Sequence, residues 1–212
     1  MTAILPAHVE WATVDRMRRM LSQPRPRFEV TGTLTLFTSI LCWTMQRIRT
    51  DPDETDDIAQ RMVALSSSLR NQPFRSFLKT EPQAVLTTSI DGVGARIEVA
   101  LNSLAEFVAK EVPLNASRSL VALRNAVGHG DARRVTPLNR DGLLIGYRFA
   151  CTEGYRGDDG QWVEKWRGSR CLDAAGMASI AGELADQFCA ALQAGDSGFA
   201  TDASRFREAT SR

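Results

Sequence analysis

The apolar residues of this chain change their spacing once, near Pro137, and that change limits the folds open to it. Upstream they recur every three to four positions, as on one face of an α-helix. Downstream, Leu143, Ile145, Tyr147 and Phe149 occupy every second position, as on one face of a β-strand. The Gly/Asp-rich string Gly154-Tyr-Arg-Gly-Asp-Asp-Gly160 follows, and then Val163, Lys165 and Arg167 alternate with Trp162, Glu164 and Trp166. Two alternating runs about a turn-rich string predict a β-hairpin over 142–170. Asp173 then caps a final helix whose stripe is Met177, Ile180, Leu184, Phe188 and Leu192.

The upstream half predicts helices. Val9, Val14, Met17 and Leu21 lie among Arg16, Arg18 and Arg19, and Pro24 and Pro26 end that segment. Residues 30–36 alternate as an exposed strand would, but Phe37, Leu41, Met45 and Ile48 continue at helical spacing, so length favours a helix. Its threonines, together with Ser39 and Gln46, are too polar for a membrane span. An acidic start around Asp51 and Asp53 precedes the stripe Ile58, Met62, Leu65 and Leu69. Residues 71–92 read as a connector with a helical turn near Phe74–Leu78, and Val93, Ile97, Leu101, Leu104 and Val108 as another helix, stopped before Pro113. Asn115 or Ser117 caps the next. The expected class is mainly α: an up-and-down bundle of about five helices with a β-hairpin inserted before the last. An N-terminal helix and linker (1–29) precede the bundle (30–194), and a polar tail (195–212) follows.

A formal net charge of +1 argues against a protein that coats nucleic acid by bulk charge and leaves a local basic groove open. Cys42, Cys151, Cys171 and Cys189 form no Cys-x-x-Cys pair, so reduced thiols are expected rather than a zinc site or disulfide framework, with Cys42 and Cys189 in the core. The first ten residues lack the pattern of a secretory signal, so a cytoplasmic location is expected, with no membrane contact.

The segment Arg124-Asn125-Ala126-Val127-Gly128-His129 carries the chemistry. Helical spacing gathers Ala116, Leu120, Leu123 and Val127 into a core stripe. Asn125 and His129 fall on the opposite face with Arg118 and Ala122, and Arg124 on the flank, so a polar ridge is expected to face away from the bundle. His129 and the N-terminal His8 are the chain's two histidines, which makes His129 the candidate for proton transfer near neutral pH. Gly128 and Gly130 flank it and suit helix termination as well as close approach of a phosphate.

The string Leu-Arg-Asn-Ala-Val-Gly-His-Gly-Asp at 123–131, late in a helical pattern, resembles the motif of the HEPN superfamily of prokaryotic defence and toxin proteins. Those domains carry an Arg, commonly a following Asn, and a His four to six residues after the Arg. The likeness covers 30–135 and the final helix; the hairpin is outside the family's core. It implies a helical bundle, commonly dimeric, with two motif helices forming one composite cleft. Some toxin members place a Tyr two residues after the His, where a partner enzyme modifies it. This chain has Asp131 there, which sets that mode of control aside.

The implied function is a metal-independent endoribonuclease of a defence or toxin system. RNA is the substrate, a homodimer the assembly, and an antitoxin or other regulator a further partner; no cofactor or metal is expected. Arg124, Asn125 and His129 are the catalytic candidates, and Arg118, Arg133, Arg134 and Arg140 the RNA-binding ones. The alternative is a catalytically silent module for dimerisation, nucleotide binding or RNA binding. Trp162 and Trp166, on one strand face, are expected to pack on a helix rather than stack on bases.

Overall fold

A computed structural model of the protein describes residues 9–23, 29–48, 57–82, 86–89, 96–99, 101–102, 107–108, 115–128 and 134–194. Among them are five α-helices: α1 (Val9–Leu21), α2 (Glu29–Ile48), α3 (Asp57–Asn71), α4 (Ala116–Gly128) and α5 (Ala174–Gln193). Six antiparallel strands lie between α3 and α5: β1 (Leu86–Ser89), β2 (Arg96–Val99), β3 (Phe107–Val108), β4 (Val135–Arg140), β5 (Leu143–Arg156) and β6 (Trp162–Leu172). They form one sheet in the order β2-β1-β4-β5-β6-β3.

α2 buries Phe37, Ile40, Leu41, Thr44, Met45 and Ile48, the helical spacing of its sequence. Thr44 is tolerated there because its hydroxyl donates to the Ile40 carbonyl at 2.7 Å. α1 contributes Trp11, Ala12 and Val14 to the core it shares with α2 and α5. Asp15, buried on α1, accepts from Arg18 at 2.9 Å and Arg19 at 2.8 Å. α5 starts where Asp173 accepts from the Gly176 amide at 2.7 Å, the cap expected from the sequence. No helix among the described residues is long and apolar enough to cross a membrane.

The expected hairpin is β5 and β6, paired from Tyr147↔Leu172 to Arg156↔Trp162. It belongs to a wider sheet, and the described residues of the expected helix over 93–108 form strands and a turn instead. β2 covers 96–99, Asn102 takes a left-handed φ of 57°, and β3 pairs with β6 at Phe107↔Gly168. Val99 and Leu101 bury against Leu138 and Cys171 in a second, small core. The connector over 71–92 holds a 3-10 turn at Phe74–Ser76 and, beyond it, β1.

Phe149, Cys151 and Leu172 join the helical core, so the central strands pack on the helices. The rings of Phe149 and Phe37 are 5.6 Å apart between centroids. Arg170, opposite Phe149 on β6, is almost wholly buried; its guanidinium lies 4.2 Å from the centre of the Phe74 ring and donates to Ser119 Oγ on α4 at 3.3 Å. Burial pushes its pKa down to about 10. Cys151, Cys171 and Cys189 are buried free thiols, while Cys42 is only half-buried rather than a core residue.

Candidate functional site

α4 carries the motif. Asn115 starts it by accepting from the Arg118 amide at 2.9 Å. Ala116, Ser119, Leu120, Leu123 and Ala126 are buried, and Val127 is half-buried at the edge of the expected stripe. Ala122, expected on the open ridge, is buried as well. The reason lies in the sheet: β5 packs along α4, so the face bearing Arg118 and Asn125 meets the hairpin instead of open solvent.

Arg118, Asn125 and Ala122 line a groove of about 240 Å³ together with Ser117, Val121, Thr152, Gly154 and Trp162. Arg124 leaves α4 on another side, where its charge acts on the Cys42 thiol of α2. Burial raises that thiol's pKa, and the Arg124 cation pulls it the other way. The side chain is half-buried, and its Nε and Nη2 are shielded from solvent with no hydrogen-bond partner among the described residues. Shielding part of a guanidinium without an acceptor is costly, and an anion would relieve that cost.

His129 and Arg133 lie outside the described residues. Arg134 is turned into the sheet, where its Nη1 donates to Thr152 Oγ1 at 2.8 Å. Arg140 is exposed and faces Asp141 at 3.7 Å beside the β4–β5 turn. That turn and the groove lie at opposite ends of β5, roughly 30 Å apart at about 3.3 Å per residue, so Arg140 is not brought to the groove. Of the expected cations among the described residues, Arg118 lines the groove, and Arg134 reaches its lining residue Thr152.

Trp162 joins the site unexpectedly. Its residue surface is 59% exposed, against 3% for the core Trp11. Its position directly after the Gly/Asp-rich loop was the signal, since the end of a strand beside a surface loop keeps more of its area open than the middle does. Trp166 is a residue whose side chain is not described.

Comparison with family models, curated proteins and solved structures gives no match, so the site is read from its residues and geometry alone.

Proposed function

We propose that this chain is a metal-independent endoribonuclease of the HEPN kind, centred on Arg124, Asn125 and His129. The observation that supports this most is the shielded, unsatisfied pair of nitrogens on Arg124, which stands five residues before His129 in the sequence. A phosphate in RNA supplies the missing acceptors, and a charge-assisted bond to it strengthens as the phosphorane-like transition state gains charge. In this reading the helices form an up-and-down bundle, and two chains pair about their motif helices. His129 takes the proton of the substrate 2′-hydroxyl, the 2′-oxygen attacks phosphorus, and the bond to the 5′-oxygen breaks. The His129 imidazolium of the second chain gives that oxygen a proton. The products are a 2′,3′-cyclic phosphate and a 5′-hydroxyl.

The test is cleavage of single-stranded RNA in EDTA beside the same strand with 2′-deoxy sugars. The proposal expects undiminished cleavage in EDTA and none of the deoxy strand. Loss of activity on chelation, or equal cutting of both strands, contradicts it.

A second reading has its own support. Arg124 and Asn125 serve different sides of α4, one toward Cys42 and the other toward the groove. That separation suits a HEPN-like module that binds RNA or nucleotides, or pairs with a second copy, without cutting. RNA binding without cleavage at any chain concentration is its expected outcome.

A further inference from the structure

The far end of the β5–β6 hairpin is built, not loose. Gly157 and Gln161 close its loop through an amide-to-carbonyl bond of 2.8 Å, and Asp159 Oδ1 accepts from the Gln161 amide at 3.0 Å. The register shifts where Glu153 pairs with Trp166 and Gly154 with Glu164, so Lys165 is an extra residue that bends β6 just before that end. Gly154 leaves room both for the Val163 carbonyl of the facing strand, which a Cβ there would meet first, and for the Trp162 indole, whose Cζ2 and Cε2 would lie 2.6 Å and 2.7 Å from it. The ring is thus held from one side by backbone, while most of the residue stays open to solvent.

The opposing wall of the groove is α4, with Arg118 and Asn125. Arg118 is the cation among the described residues that line the groove. The groove's volume of about 240 Å³ falls below the roughly 300–1,000 Å³ of pockets for drug-sized molecules, which suits one planar group rather than a whole cofactor. A seated indole, a guanidinium and an amide together match a base: a π-face for stacking, an amide for its edge, a cation for the adjoining phosphate.

We propose that this groove is a stacking site for one unpaired base of single-stranded RNA, with Trp162 as the platform and Arg118 and Asn125 as the polar wall. The proposal rests on the RNA reading above and adds where the strand is gripped. A base already paired in a duplex cannot enter, so the site selects single strands.

The test is fluorescence anisotropy with the full chain carrying His129→Ala, which keeps the RNA whole, on a short unstructured RNA and on the same RNA annealed to its complement. Trp162→Ala should weaken single-strand binding about tenfold, within the range expected for losing one base stack, and leave duplex binding unchanged. Trp162→Phe should retain most of the affinity. Arg118→Ala should weaken binding and lower the slope of log affinity against log salt by about 1. If the Trp162 chain binds RNA and the Ala variant binds equally well, the stacking site is overturned while the RNA reading stands. If the Trp162 chain does not bind RNA and the unaltered chain does not cut it, both are overturned. If Trp162→Ala dissociates a dimer and leaves RNA affinity intact, the hairpin end is a protein contact and the stacking site is likewise overturned.

Discussion

Phe149→Ala probes the contact on which the groove depends. Phe149 is fully buried in the middle of β5 and meets Phe37 of α2 at 5.6 Å, so it fastens the sheet to the helices. Burying a phenylalanine stabilises by about 1.5–3 kcal/mol of transfer free energy. The cavity left by truncation brings the expected loss to about 3–5 kcal/mol. A domain's whole stability is about 5–15 kcal/mol, so this one change removes a large share of it. Urea unfolding should be followed by far-ultraviolet circular dichroism for the helices and by tryptophan fluorescence. Both probes should move together to lower urea, because helices and sheet share one core. A double-mutant cycle with Phe37→Leu should show a coupling of about 0.5–1.5 kcal/mol from the ring pair. A loss below about 1 kcal/mol, or a shift in one probe alone, would show that the sheet is not fastened to the helices and that α4 and the hairpin do not enclose a groove.

Three further outcomes are expected. Asp173→Ala removes the cap of α5 and should cost about 1 kcal/mol in the same unfolding assay, with Asp173→Asn recovering most of it; an unchanged midpoint contradicts the cap. Gly154→Ala drives a methyl group into the Val163 carbonyl and the Trp162 indole, so it should lower the unfolding midpoint and also weaken single-strand RNA binding, which the urea assay and anisotropy would read side by side. In the folded protein Cys42 should react first with a thiol reagent at neutral pH, because burial pushes Cys151 up to about 11 and Cys189 up to about 12. The folded state therefore holds the Cys151 proton between its ordinary value of 9.0 and about 11, where the unfolded chain has released it. Stability from this group is complete below the ordinary value and is lost as pH rises through that window, a slope that Cys151→Ala should flatten.

The helices were legible where one stripe of apolar residues faces one core. Phe37, Leu41, Met45 and Ile48 announce α2, and its threonines do not spoil it because Thr44 bonds back to the helix's own backbone. The segment 93–108 was misread because short strands draw their stability from neighbours distant in sequence. Val99 and Leu101 are buried by Leu138 and Cys171, which no local spacing reveals. β4, which the expected hairpin over 142–170 left out, had a local signal: Asp141-Gly142, with φ of 52° and 78°, is a two-residue turn of the hairpin type. Pro137 obscured it, because a residue without an N–H is a poor sign of a strand inside a sheet.

At the site, the sequence placed Arg118 and Asn125 on one face of α4 and Arg124 on its flank, as the structure has them. It did not reveal that the hairpin covers that face and buries Ala122, because the covering element lies some thirty residues downstream. The same long-range packing turned Arg134 into the sheet and left Trp162 open beside Asn125.

The most direct test of the central claim is single-turnover cleavage of RNA by the unaltered chain and by His129→Ala, with product ends identified. A group that moves the proton in the transition state contributes roughly 10²–10⁴-fold, so the variant should lose at least about a hundredfold in rate. The unaltered chain should leave 2′,3′-cyclic phosphate ends. Cleavage by His129→Ala at an undiminished rate, or products ending in a 3′-hydroxyl and a 5′-phosphate, would contradict the account.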